Sequence, residues 1–220
     1  KPMDKVKMPK VDNARDRFLT PDEAQTLLAA VAKRSPLWHD ISLASLHTGM
    51  RLSEVLGLRP QDVNLKSRLI HLNGKTGRRS IPMNDTLFEM FERVVAEKKD
   101  SPLLFPNTKG MQMGADSATN SFARAVADAK LNPPNVDRRH KVVFHTLRHT
   151  YCSWLATEGV PLYVIGEMVG HSSMEMTKRY SHLCPDKRNQ TVNVVQSMFS
   201  KGKAEETEKL SLKELAGKRA

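Results

Sequence analysis

Apolar and polar positions recur along this chain with two different periods, and the switch between them marks its organisation. Thr20-Pro21-Asp22-Glu23 has the form of a helix start: a hydroxyl cap, Pro at the first helical position and Glu three residues on. It leads into a predicted helix over residues 24–32. A second helical stretch covers 37–46 and stops at Thr48-Gly49, and a short helix over 51–56 is closed by Gly57 and Pro60. Between Asp62 and Met83 the texture changes to short apolar runs separated by turn residues at 66–67 and 74–77. That pattern predicts three strands over 63–65, 69–72 and 80–82. Helical spacing resumes over 85–98, 115–129, 146–157, 162–169 and 185–198, and no internal repeat is present. The expected fold class is α+β, mainly α-helical, with a small three-stranded antiparallel sheet. The expected organisation is a linker over 1–17, a domain over 18–199 and a charged tail over 200–220 that carries Leu210, Leu212 and Leu215.

Composition narrows the class of partner. At 39% apolar residues, 220 residues supply the core of one substantial domain. Lys and Arg number 35 against 24 Asp and Glu, and the net charge of +11 favours a polyanion, either nucleic acid or an acidic membrane surface. No run of about 18 apolar residues occurs, and residues 1–10 are charged and Pro-containing, unlike a signal peptide. A soluble, cytoplasmic protein without a membrane partner is expected. The two cysteines, Cys152 and Cys184, form no CxxC pair, so neither a disulfide framework nor a four-cysteine zinc site is open to this chain. Both are expected to be reduced thiols.

Three segments carry candidate chemistry. In Thr48-Gly49-Met50-Arg51-Leu52-Ser53-Glu54, a Gly turn delivers Arg51 to the start of a short helix, with Glu54 on the same face. Arg51 there fits a phosphate, and the same residues also fit a capped surface helix with a local ion pair. In His145-Thr146-Leu147-Arg148-His149, His145 and Arg148 face the same way on a helix start. His145 and His149 have a zinc-ligand spacing, but the Glu of an HExxH motif is missing and no metal is expected. In the third, Val169-Gly170-His171-Ser172-Ser173 precedes Tyr180 by nine residues from the His. Tyr180 alone reads more often as a half-buried packing residue. Together with Arg51, His145, Arg148 and His171, it makes a set of two Arg clamps, two proton-handling His and one oxygen nucleophile, suited to phosphoryl transfer.

The segments TGMRLSEVLGL, HTLRHT and VGHSS with TKRYSH four residues later resemble the three boxes of the tyrosine recombinase (phage integrase) family, over about residues 18–198. The resemblance implies the catalytic-domain fold of that family. It implies an enzyme that cleaves and rejoins DNA through a 3′-phosphotyrosine, without metal, ATP or another cofactor. Arg51 and Arg148 would bind the scissile phosphate, His145 and His171 would hydrogen-bond it, and Tyr180 would be the nucleophile. Lys75, in Gly74-Lys75-Thr76-Gly77, would protonate the leaving 5′ oxygen, with Glu54 in a supporting role and His145 a candidate base. The cationic neighbourhood is expected to lower the cost of the Tyr180 phenolate. The partner would be double-stranded DNA, with the protein a monomer when free and a tetramer on DNA. Residues 1–17 would follow a core-binding domain, and the tail would dock on a neighbouring subunit or be disordered. Basic residues expected along the DNA backbone are Lys66, Arg68, Arg78 and Arg79 around the sheet, and Lys130, Arg138, Arg139 and Lys141 before the second box. A DNA-swivelling topoisomerase shares the same residue set, whereas a non-catalytic DNA-binding module needs no tyrosine and a zinc hydrolase needs ligands that are missing.

Overall fold

The first helix begins at the cap placed by the sequence. Thr20 Oγ1 accepts the Glu23 backbone N–H at 3.2 Å, and Glu23 Oε2 accepts that of Thr20 at 2.9 Å, opening α1 (Pro21–Arg34). The computed structural model describes residues 17–74, 77–186 and 197. The chain divides into two units, Lys1–Leu183 and Cys184–Ala220. All the elements below lie in the first. The helix expected over 185–198 and the tail after 199 lie outside the described residues, apart from Pro185, Asp186 and Ser197.

Ser35 caps α2 (Pro36–Thr48), which is buried almost all round and packs against α1, α3 (Leu52–Leu56), α4 (Asp85–Glu97), α5 (Ala115–Asp128) and α6 (Phe144–Thr157). It is the axis of the fold. Fully buried Ile41 contributes about 1.5–3 kcal/mol by leaving water. Gly49 ends α2 at φ 67°, and a Cβ there would lie 2.6 Å from both Tyr151 and Val169, so the turn admits only glycine. α7 (Leu162–Val169) and α8 (Met174–Lys178) complete the helices described.

Beside them lies the antiparallel sheet β1 (Val63–Asn64), β2 (Leu69–Gly74) and β3 (Gly77–Pro82), in the order β1-β2-β3. Ile70 pairs with Ile81, and both are fully buried. β2 and β3 run further than predicted, with Gly74 paired to Gly77, so strand pairing takes in both ends of the expected turn, whose middle residues are Lys75 and Thr76. Those two residues lie outside the described set.

One helix is unusual in what it buries. α6 hides Thr146, Arg148, His149, Thr150 and Ser153 together with its apolar residues, whereas buried helix faces are normally apolar. The hydroxyls are satisfied: Thr150 Oγ1 donates to Thr146 O at 2.8 Å and accepts Leu19 N–H at 3.0 Å. A polar helix inside the domain thus carries an arginine and a histidine to its interior. Among the described residues no helix is long and apolar enough to cross a membrane.

Candidate active site

The turn after α2 fixes the first arginine. Met50 is fully buried, with its N–H on Thr48 Oγ1 at 3.1 Å and its carbonyl on Ser45 Oγ at 2.9 Å, so Arg51 emerges at the N-cap of α3 in a set direction. Its own N–H donates to Glu54 Oε2 at 2.8 Å, Nη1 to Glu54 Oε1 at 3.3 Å and Nη2 to Gly170 O at 3.2 Å.

Glu54 is gripped from the other side by Arg79 of β3, whose Nη1 and Nη2 reach its two oxygens at 3.0 and 2.8 Å. Arg79 Nε donates to Met168 O at 3.1 Å, and the side chain is only 10% exposed. Burial disfavours the Glu54 carboxylate, but Arg79 and the Arg51 N–H outweigh it and hold the carboxyl below its ordinary range. Arg79 was expected on the DNA backbone. Its guanidinium is committed instead to Glu54 and Met168, because strand alternation turns it to the same inner face as Ile81.

Arg148 is buried on α6. Nη1 donates to Gly49 O at 2.7 Å, and Nη2 is buried without a hydrogen-bond partner. Burial, then the field of Arg51, lowers its pKa to about 10, which still leaves it cationic at neutral pH. A buried guanidinium with an unpaired arm is costly unless an anion meets it.

His171 follows Gly170, whose carbonyl holds Arg51. Its Nδ1 lies 2.7 Å from the hydroxyl of fully buried Thr177. Space there is tight: a Cβ on Gly166 would come within 2.9 Å of Thr177 Oγ1. Burial first, then Arg148 and Arg51, push the His171 pKa down to about 4, so the ring is neutral at physiological pH.

Tyr180 is 5% exposed, and its Oη lies 2.7 Å from Nδ1 of His149. Arg179 sits over its ring at 6.0 Å. His145 is exposed, with its ring edge-on to that of His149 at 4.8 Å. The phenol is raised above its ordinary pKa. Burial is the main cause and the Cys152 thiol adds to it, against smaller opposing effects of Arg179 and Arg148. The neighbouring arginines act in the expected direction, easing ionisation, but desolvation outweighs them. Cys152, expected to be an ordinary thiol, lies beside the nucleophile candidate, and burial pushes its own pKa up.

The structure thus gathers Arg51, Glu54, Arg148 and His171 around one point, with Tyr180 against the same helix α6. Lys75 lies outside the described residues, but the base of its hairpin, Gly74, joins Arg51, Glu54, Gly57, Asp62 and His71 in lining a cleft of about 710 Å³. Lys66, Arg68, Arg78, Lys130, Arg138, Arg139 and Lys141 are exposed. Of these, Arg68 pairs with Asp85 at 2.6 Å and Arg139 with Asp137 at 3.4 Å. Sequence reading missed Thr177 and assigned no role to His149. The available signals were the i, i+4 relation of His149 to His145, read only for zinc, and the position of Thr177 three residues before Tyr180.

A family model described as the phage integrase family matches residues 17–187. The integrase of Salmonella phage P22 is 28% identical over 202 residues, covering 88% of this chain and 51% of that protein. The solved catalytic domain of bacteriophage HP1 integrase superposes with a TM-score of 0.60 at 28% identity, over 80% of this chain and 94% of that domain. The integrase of the Tn1549 transposon, solved in complex with transposon right end DNA, gives a TM-score of 0.65 at 24% identity, over 90% of this chain and 68% of that one. The chain spans between about half and two thirds of the curated relatives it matches.

Proposed function

The chain belongs to the phage integrase family, and from that premise we propose that it is the catalytic domain of a site-specific recombinase, cutting and rejoining double-stranded DNA through a 3′-phosphotyrosine on Tyr180. The observation that carries this reading is the buried, unpaired Nη2 of Arg148, set among Arg51 and His171. A scissile phosphate is the anion that completes it.

Two guanidiniums on one phosphodiester neutralise the charge that builds on its oxygens in the transition state. That is the work a divalent cation does in many phosphoryl-transfer enzymes, so none is required here. His171 is neutral at pH 7. In the tautomer in which the Thr177 hydroxyl donates to Nδ1, 2.7 Å away, the ring proton stands on Nε2 and is available to a phosphate oxygen. Attack by Tyr180 Oη on phosphorus breaks the bond to the 5′ oxygen. Lys75 protonates that oxygen, by the family pattern that its hairpin shares. The phosphotyrosine keeps the energy of the broken phosphodiester, so rejoining to a 5′-hydroxyl needs no ATP. His145, exposed at the start of α6, hydrogen-bonds the same phosphate. The protein works in the cytoplasm, as a monomer when free and as a tetramer on DNA.

The test is covalent trapping in EDTA, on nicked duplexes carrying the ends of the element that encodes the protein. An adduct that survives denaturation, and that is missing with Tyr180→Phe, is expected. An adduct that needs added metal, or that persists in the variant, contradicts the reading.

A further inference from the structure

A buried phenol is a poor nucleophile until something takes its proton, and the raised pKa of Tyr180 keeps it neutral at pH 7. Few groups near it are able to act as the acceptor. Cys152 is itself a buried thiol with a raised pKa. Arg148 and Arg179 carry no basic lone pair. His171 has Nδ1 occupied by Thr177, and the Glu54 carboxylate is held by Arg51 and Arg79. His145 lies further out on the same helix, exposed, with its ring 4.8 Å from that of His149. The nitrogen at 2.7 Å from Oη belongs to His149.

Resting on the recombinase reading above, we propose that His149 is a further catalytic residue, the base that accepts the Tyr180 proton during cleavage and returns it during rejoining. In the cleavage step the Oη–H bond breaks, the proton passes to Nδ1, and the electron pair forms the Oη–P bond. The P–O5′ bond breaks and the 5′ oxygen leaves as a hydroxyl, with a proton from the general acid, the role taken by Lys75. The reverse step returns each proton to its source, so no oxidant, reductant or other reactant is needed.

The helix supplies an outlet as well as a base. His145, His149 and Cys152 stand at i, i+4 and i+7, on one face of α6. Along that face the rings run from the surface inward: exposed His145, then buried His149 at 4.8 Å, then Tyr180 with its ring 6.1 Å from His149. A proton received deep in the domain thus has an exposed imidazole beside it. This arrangement divides the two histidines of the second box. His145 faces phosphate and solvent, and His149 serves the nucleophile.

Two measurements test the assignment. The first needs no DNA: ¹⁵N spectra of the histidine-labelled chain, with the His149 resonances identified by their loss in His149→Asn. In the wild type, Nδ1 is expected to show a hydrogen-bonded acceptor and to shift in Tyr180→Phe. No shift overturns the contact, and the proposal with it. The second compares adduct formation by the wild type and His149→Asn, which keeps an acceptor oxygen but accepts no proton, with His149→Gln carried alongside in case one variant folds poorly. The expected loss is about 10²- to 10⁴-fold. Ring-fluorinated tyrosine at position 180, a more acidic phenol, is expected to recover at least tenfold of it. A substrate with a sulfur leaving atom at the 5′ position is expected to recover none. Variants within a few-fold of wild type overturn the proposal, as does a deficit that the fluorinated tyrosine leaves unchanged or that the sulfur substrate repairs. A wild type that forms its Tyr180 adduct while the His149 variants match it sinks His149 alone and leaves the recombinase reading standing.

Discussion

Arg148 donates one hydrogen bond to Gly49 O and leaves Nη2 buried without a partner. Removing such a charge in favour of an apolar chain of similar volume is often neutral or stabilising, because an unpaired buried ion costs more than it returns. Arg148→Met is therefore expected to melt at or above the wild-type temperature while losing adduct formation. A fall of several degrees in calorimetry would assign Arg148 to the scaffold. His171 gives a second test at this scale. Unfolded, it binds a proton near pH 6.5, and folded only near pH 4. The unfolded chain thus holds the extra proton between these values, and stability falls as pH drops through that interval. His171→Asn is expected to flatten the decline in urea-unfolding stability between about pH 6.5 and 4. A slope equal to that of the wild type contradicts the depressed pKa. Thr177→Val, nearly isosteric, takes away the partner of His171 Nδ1 and is expected to cost about 1–3 kcal/mol. Its adduct rate should fall, and Thr177→Ser should restore it. Failure of the serine to restore the rate would show that bulk, not the hydroxyl, is what counts.

Across elements, a closed chain of hydrogen bonds joins the sheet to the first box and to the segment of the third. Arg79 on β3 holds Glu54 on α3 and Met168 on α7, while Arg51 holds Glu54 and Gly170. The ring sets Arg51 relative to the loop that carries His171. A double-mutant cycle on Arg79→Met and Glu54→Gln is expected to show coupling of about 1–3 kcal/mol in stability, since both side chains are nearly buried. Additive effects would contradict the ring. Much of this level was legible in the sequence. The caps at Thr20 and Ser35 and the glycine after Thr48 are local signals that survive folding unchanged. α8 was missed because five residues are too few to show a helical period. The strand ends were missed because Asn73, Gly74, Gly77 and Arg78 look like turn residues, yet pair across the hairpin. Arg78-Arg79 read as one basic pair, though adjacent strand residues point to opposite faces.

At the scale of the whole molecule, the family came through because the three boxes name residues directly, whereas partners inside the site depend on how helices meet. The contact of His149 with Tyr180 spans 31 residues and has no sequence period to announce it. The excess of +11 charges has its visible part in exposed Lys66, Arg78, Arg138 and Lys141. DNA binding should weaken steeply with salt. Arg138→Ala and Lys141→Ala should each reduce the slope of log affinity against log salt by about 1, where each residue meets one phosphate. Slopes unchanged in both variants would place that segment away from the DNA. The most direct measurement is mass spectrometry of the trapped protein after nuclease and protease digestion, because the chain has three tyrosines, Tyr151, Tyr163 and Tyr180. The expected result is a nucleotide-bearing 3′-phosphate on the peptide that contains Tyr180. The same mass on Tyr151, on Tyr163 or on any residue other than Tyr180 would contradict the assigned nucleophile.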